Sequence, residues 1–178
     1  MNKEDLRDLV RTIPDFPKAG IAFRDISSLL ADAEGFRCLI DAMLEEARPL
    51  HIDCVVGIEA RGFILGAALA AALGKGFIMA RKPGKLPGRT VGIDYALEYG
   101  SDRLELHEGQ LPYGAHVLLI DDLIATGGTV LAAAQLLQQQ GAHVALALFA
   151  IDLPDLGGMR ALAQRGITAR ALMQFDGH

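Results

Sequence analysis

Val117-Leu118-Leu119-Ile120-Asp121-Asp122-Leu123-Ile124-Ala125-Thr126-Gly127-Gly128-Thr129 is the stretch that decides the fold. Its first residues are aliphatic without alternation, the pattern of a strand buried on both faces of a parallel sheet. Two adjacent carboxylates follow where that strand should end. A run of small residues comes next, and Val130, Ala134 and Leu137 then recur at helical spacing, with Gly141 suited to a C′ stop.

A strand, a small-residue loop and a helix N-terminus together make an anion cradle. Free backbone N–H groups and the positive end of the helix dipole converge there, and missing side chains allow close approach. Thr126 and Thr129 add hydroxyl donors. Asp121 and Asp122 repel a phosphate, but at the carboxyl end of a strand they suit vicinal sugar hydroxyls or a metal. A sugar phosphate offers both partners. The plain alternative is a tight turn with a capping Thr and solvated acids, but two carboxylates at a buried strand end are costly without a ligand.

Working outward, strands alternate with helices. Helical spacing covers residues 2–12, with Asn2 as a cap, and 34–48, with Pro49 just beyond. Residues 13–26, with two prolines and an apolar content that needs something to cover, read as an irregular loop. Ile52–Ile58 reads as a buried strand before a helix at Phe63–Leu73 that stops at Gly74, and Gly76–Ala80 as a third strand. Loose alternation over residues 90–107, around a turn at Glu98-Tyr99-Gly100, predicts a β-ribbon, and a mobile arm of this kind can close over substrate. A strand at His143–Ile151, a short helix at 155–165 and a last strand at Ile167–Phe175 complete the chain. The fold class is α/β, with a mainly parallel central sheet flanked by helices. Residues 1–178 read as a single domain with no linker or repeat.

The bulk properties exclude several classes. A net charge of −5 argues against nucleic acid as the main partner. No apolar stretch is long enough to span a membrane, and the charged N-terminus lacks a signal-peptide core. Cys38 and Cys54 form no CxxC, so a reducing, cytoplasmic setting is expected. Neither Gly74-Lys75 nor Gly84-Lys85 continues as a Walker A loop, and no Gly-x-Gly-x-x-Gly follows a strand. His51, His107, His116 and His143 are scattered without metal-ligand spacing, and no nucleophile arrangement stands out.

Two further stretches suit an anion. Glu59-Ala60-Arg61-Gly62 sits at a second strand–loop–helix switch, where the alternative is a solvated Arg61–Glu59 ion pair of little worth. Arg81-Lys82-Pro83-Gly84-Lys85-Leu86-Pro87-Gly88-Arg89 is the densest basic patch, and its cations suit a diphosphate.

The central stretch resembles the phosphoribosyl diphosphate (PRPP) signature of the type I phosphoribosyltransferases. Phe16-Pro17, Gly20 and Phe23-Arg24-Asp25-Ile26, the order Arg-Lys-x-Gly-Lys-Leu-Pro-Gly from Arg81, and Leu97-Glu98-Tyr99-Gly100 resemble the adenine phosphoribosyltransferases in particular. The resemblance covers nearly the whole chain. It implies transfer of the 5-phosphoribosyl group from PRPP to N9 of adenine, giving AMP and pyrophosphate in purine salvage. It also implies roles. Asp121, Asp122, Ala125, Thr126, Gly127, Gly128 and Thr129 would bind the ribose phosphate. Glu59, Ala60, Arg61, Arg81, Lys82 and Lys85 would bind pyrophosphate, with a non-proline cis peptide common in the first loop. Ala22, Phe23, Arg24 and Leu123 would bind adenine, Ala22 and Arg24 through backbone groups and Phe23 by stacking. Glu98 would lie near N7 and Tyr99 would close over the reacting centre; with Arg61 these are the catalytic candidates. Residues up to about 30 would form a hood, and about 82–107 a basic and flexible catalytic loop. Mg²⁺ would be held chiefly by PRPP, pyrophosphate and water, with no dedicated protein site, and the chain would pair as a homodimer. A transferase for another purine base and a PRPP-sensing regulator are the rival readings. The hood and the Glu-Tyr-Gly loop argue against the first, and the lack of a basic DNA-binding element argues against the second.

Overall fold

The computed structural model describes residues 3–97 and 100–177. The chain opens with helix α1 (Lys3–Asp8) and two short strands, β1 (Arg11–Pro14) and β2 (Ala22–Asp25), paired antiparallel. Helices α2 (Ser27–Ala31) and α3 (Ala33–Ala47) follow, the latter capped by Asp32, whose carboxylate accepts the Gly35 N–H at 2.7 Å. Strand β3 (Cys54–Ile58), helix α4 (Arg61–Leu73) and strand β4 (Gly76–Ala80) form the next unit, and Gly74 ends α4 in the left-handed region at φ 65°. Strands β5 (Thr90–Leu97) and β6 (Gly100–His107) make an antiparallel ribbon. Strand β7 (His116–Ile124), helix α5 (Gly128–Gln139), strand β8 (His143–Asp152), helix α6 (Gly158–Gln164) and strand β9 (Ala169–Gln174) complete the order.

Strands β3, β4, β7, β8 and β9 form one sheet in the order β4-β3-β7-β8-β9, with every neighbouring pair parallel. Both faces are covered, which explains the unbroken apolar runs. On one face Leu118, Ile120, Leu146 and Leu148 meet Leu39, Met43, Leu65 and Leu69. On the other Val117, Leu119 and Phe149 meet Val130, Ala133, Leu136 and Leu137 of α5. Each such side chain contributes about 1.5–3 kcal/mol when removed from water. The ribbon is anchored in this second layer by buried Leu104 and Leu106.

Several boundaries differ from the sequence reading, among them the start of α4 at Arg61 rather than Phe63 and the strand Ala22–Asp25 inside the stretch 13–26 expected to be an irregular loop. The helical spacing over 2–12 breaks at Asp8, and Arg11–Pro14 pairs with β2 instead; all four β1 residues are exposed, so no burial pattern marks the strand. The cap expected at Asn2 lies outside the described residues. Strand β7 runs on to Ile124, so Asp121 and Asp122 lie within it rather than beyond it: Asp121 is in register with Phe149 and Leu123 with Ile151. The segment read as one helix at 155–165 divides into a 3₁₀ turn at Pro154–Leu156 and α6, broken by Gly157 at φ 76°. Strand β3 begins at Cys54, with Ile52 buried just before it.

Candidate active site

The carboxyl ends of β3 and β7 face the N-termini of α4 and α5, and the acidic pair stands between them. Asp122 is 3 % exposed, and Asp121 is half-buried. Being part of a paired strand holds both carboxylates rigidly. Burial pushes the Asp121 carboxyl well above the ordinary range, and the Asp122 charge adds to this; burial likewise raises Asp122, against the pull of Arg61. The Asp121 carboxylate accepts the Asp122 backbone N–H at 2.9 Å. Arg61 Nε lies 2.7 Å from Asp122 Oδ2, yet no donor is aligned on that buried oxygen, so the contact is purely electrostatic. This contact between α4 and β7 stands in place of the Arg61–Glu59 ion pair that was the plain alternative. Gly62 permits it: a Cβ there would lie 2.7 Å from the Ile120 carbonyl oxygen, so only glycine lets α4 start this close to β7.

Residues 125–129 form the expected turn into α5. Gly127 stands at the N-cap in the left-handed region (φ 86°), and no side chain caps the helix. The first-turn N–H groups of an α-helix have no partner within it, so here they are left to an anion or water. The loop is buttressed from behind. Gly158 donates its N–H to the Ala125 carbonyl at 2.9 Å, and a Cβ on Gly158 would lie 2.4 Å from that same oxygen. Nothing in the sequence reading singled out Gly158; the Gly157-Gly158 pair was the available signal.

At the end of β3 the Glu59–Ala60 peptide is cis. Glu59 is gripped by Arg81, whose Nε and Nη2 donate to its two oxygens at 3.1 and 3.2 Å, and by the Lys82 N–H at 2.8 Å. Hydrogen bonds from Arg81 hold the Glu59 carboxyl below its usual range. Arg81 also donates to the Lys85 carbonyl at 3.1 Å, so its fork braces the basic loop. Lys82 reaches the ribbon, contacting Asp102, with Tyr95 Oη 3.4 Å away. Burial opposes the Lys82 charge, but Asp102 and Tyr95 hold its pKa above the ordinary value. Lys85 is exposed. Of the basic trio, Arg81 and Lys82 are therefore engaged within the protein, and Lys85 faces solvent.

The hood candidates gather on the other side. Phe23 packs edge-on against Phe16 with centroids 5.2 Å apart, and Phe16–Pro17 is cis. The Arg61 guanidinium lies 5.2 Å from the Phe23 ring centroid, so one side chain spans the acidic pair and the hood. The Arg24 side chain turns to the carboxyl terminus: it donates to Thr12 Oγ1 and to the Asp176 carbonyl, both at 2.6 Å, and lies over Phe175, which leaves only its backbone toward the hood. Ala22 pairs with Pro14 in the β1–β2 ladder. Leu123 lines the same recess as Asp121, Asp122 and Arg61.

Glu98 and Tyr99 lie outside the described residues. Their neighbours place the ribbon beside the loop: a Cβ on Gly128 would be 3.9 Å from the Ala96 carbonyl, and Thr129 Oγ1 is 3.4 Å from Tyr95 Oη. Two recesses meet at this point. One of about 390 Å³ is lined by Glu59, Ala60, Arg61, Asp121, Asp122 and Leu123; another of about 130 Å³ lies over residues 123–130. Together they offer a carboxylate pair, a guanidinium and an uncapped helix start in one cleft, which suits a sugar bearing phosphates at both ends. Among the described residues the one His/Cys/Asp/Glu group close enough to hold a metal is His51, Asp53 and His116, at the opposite end of the sheet.

Comparison with known proteins agrees with this geometry. A family model described as the phosphoribosyl transferase domain matches residues 28–160. The chain is 57% identical over 178 residues to an adenine phosphoribosyltransferase of Novosphingobium aromaticivorans, covering 100% of both chains. The crystal structure of adenine phosphoribosyltransferase from Thermoanaerobacter pseudethanolicus superimposes with a TM-score of 0.94 at 41% identity, covering 98% of this chain and 100% of that one. The Saccharomyces cerevisiae enzyme, complexed with an imino-altritol bisphosphate and adenine, gives 0.90 at 39% identity over 96% and 98% of the two chains. The chain thus belongs to the phosphoribosyltransferases and, among them, to the adenine phosphoribosyltransferase family.

Proposed function

We propose that this protein transfers the 5-phosphoribosyl group of PRPP to N9 of adenine, releasing AMP and pyrophosphate in purine salvage. One observation carries the reading: Arg61 touches Asp122 and covers Phe23, so the sugar end and the base end of the cleft meet at a single side chain. The yeast relative holding a bisphosphate and adenine together fits a cleft of this composition.

The chemistry required is displacement at the ribose C1′. The bond from C1′ to the diphosphate oxygen breaks as the N9–C1′ bond forms, and adenine gives up a ring proton. Positive charge builds on the sugar and negative charge on the leaving group. Asp121 and Asp122 would accept hydrogen bonds from the ribose hydroxyls, and Ala125 to Thr129 would enclose the 5′-phosphate at the α5 N-terminus. Glu59, Ala60, Arg61, Arg81, Lys82 and Lys85 would form the diphosphate side. Arg81 would act in part by fixing Glu59 and the loop, and Lys85 brings its cation from solvent. Phe23 and Leu123 would sandwich the base, the backbones of Ala22 and Arg24 would read its edge, and Glu98 with Tyr99 would close the cleft. A site built for adenine's N6 donor strands its own polar groups against a 6-oxopurine, which is how backbone readout discriminates. Positioning and electrostatics then supply most of the rate enhancement.

Magnesium fits as a passenger of the substrate. Glu59 is already taken by Arg81, which leaves buried Asp122, whose Oδ2 faces Arg61 without accepting a hydrogen bond, and its neighbour Asp121 as the carboxylates able to hold the ion's water shell. When bound, it would neutralise the leaving diphosphate. The chain is read as one domain, working as a homodimer in the cytoplasm; among the described residues no helix is long and apolar enough to cross a membrane. Incubation with PRPP and Mg²⁺ should release pyrophosphate only when adenine is added, and not with hypoxanthine, guanine or xanthine. Release with a 6-oxopurine would reassign the base, and no release with any base would leave a PRPP-binding regulator.

A further inference from the structure

Three of the histidines that are scattered in sequence converge in space. His51 precedes β3, His116 opens β7 and His143 opens β8, with His116 and His143 in register. The His51 and His116 rings are 5.0 Å apart, and those of His116 and His143 6.0 Å. Asp53 stands between the first two. Its Oδ1 lies 3.1 Å from His51 Nε2 and its Oδ2 3.3 Å from His116 Nδ1. One ligand atom from each of the three residues falls within 4.8 Å of the others.

These separations have a chemical meaning. Zinc bound by imidazole nitrogen and carboxylate oxygen at about 2.0–2.2 Å in a tetrahedron sets its ligand atoms about 3.3 Å apart. Each imidazole already lies at about that distance from one Asp53 oxygen, His51 from Oδ1 and His116 from Oδ2. The remaining gaps, all within 4.8 Å, close by a rotation of His51, whose side chain is 72% exposed. Asp53 is also oriented from behind, because its Oδ2 accepts the His116 backbone N–H at 2.8 Å. This outer hydrogen bond aims the carboxylate in the way that supports of metal ligands do. Imidazole and carboxylate together suit zinc better than magnesium, which prefers an all-oxygen octahedron.

We propose that His51, Asp53 and His116 form a zinc site with water completing the shell, at the amino end of the sheet. The acidic pair of the cleft lies five and six residues further along β7 than His116, about 16–20 Å at the rise of a strand. The ion therefore ties the entry of β3 to that of β7 and takes no part in phosphoribosyl transfer. Because it binds the folded chain, it raises thermal stability with the logarithm of its concentration once that exceeds Kd.

Titration of the full chain with Zn²⁺ in a Mg²⁺-containing buffer should show one equivalent bound at micromolar affinity, with a rise in Tm. Co²⁺ in place of Zn²⁺ should give the visible absorption of a four-coordinate ion. His51→Ala, at an exposed position, and His116→Gln should each weaken Zn²⁺ binding at least tenfold, and His51→Ala should leave adenine turnover unchanged. Asp122→Asn should retain the zinc affinity. Absence of stoichiometric binding, or affinity equal to the parent's in both histidine variants, would overturn the site. Loss of binding in Asp122→Asn would do the same by placing the ion in the cleft.

Discussion

Asp121 is held in a conformation that suits a ligand better than it suits the folded chain alone. Its carboxyl is raised by burial and by the neighbouring Asp122, so the folded protein binds this proton more tightly than the unfolded chain does. A group with a raised folded pKa contributes stability that is complete below the unfolded value, near 3.8, and is lost as pH climbs through the folded value. At neutral pH the ionised side chain therefore costs stability. Asp121→Asn keeps the oxygen that accepts the Asp122 N–H and removes the charge. We expect its Tm to exceed that of the parent by roughly 3 °C at pH 7.5, equivalent to about 1 kcal/mol in a domain of this size. The difference should shrink as pH falls toward 4.5. Activity should drop roughly 10- to 100-fold, the worth of a charged hydrogen bond to a ribose hydroxyl. Thermal scans across pH and steady-state kinetics check both halves, and a destabilised variant at pH 7.5 would show that Asp121 serves the fold.

The loop from Ala125 to Thr129 owes its shape to an element that follows it in the chain. Helix α6 begins at Gly158, packed so closely that an added methyl would meet the Ala125 carbonyl at 2.4 Å and Ile124 Cγ1 at 2.6 Å. Both are rigid neighbours, so Gly158→Ala must displace the loop, at about 1–3 kcal/mol for overpacking. The KM for PRPP should rise several-fold while that for adenine stays near the parent value; an equal rise in both would point to general loosening. Such a contact is invisible in sequence because it depends on where α6 returns in space. The same distinction runs through the whole reading. Strands buried on both faces, such as Cys54–Ile58, and helices with a glycine stop, such as the one ending at Leu73, carried their pattern locally and were legible. Arg11–Pro14 is exposed throughout and becomes a strand only by pairing with Ala22–Asp25. The Asp-Asp-x-x-Ala-Thr-Gly-Gly-Thr run was legible as an anion cradle from its own residues. The partners of Arg61, Arg81 and Lys82 were not, because each lies on another element, 61, 22 and 20 residues away for Asp122, Glu59 and Asp102.

Across the whole molecule, the hood is fastened by the opposite end of the chain. Arg24, on β2, donates to the Asp176 carbonyl 152 residues away and lies 5.0 Å from the Phe175 ring centroid, while Arg7 of α1 lies 4.8 Å from the same ring. Phe175 is itself 7% exposed and joins the core layer of α1, α3 and α4. It also donates its backbone N–H to Asp152 at the end of β8, so the sheet, the carboxyl terminus and the hood form one continuous linkage. The side of the cleft that we propose for the base is thereby set by residues outside the cleft, whereas the proposed phosphate side rests on α5 and α6. Phe175→Ala removes the ring shared by the two guanidinium groups and leaves a cavity, with a cost of about 3–5 kcal/mol typical of a buried phenylalanine. Phe175→Leu retains most of the volume and loses the cation–π contacts, each worth about 0.5–1 kcal/mol at sites open to solvent. We expect Phe175→Leu to raise the KM for adenine several-fold with the KM for PRPP unchanged and the folded state nearly as stable. Measuring both KM values and the Tm of this variant separates the tether from simple packing, since a core defect alone would lower Tm and spare the adenine KM.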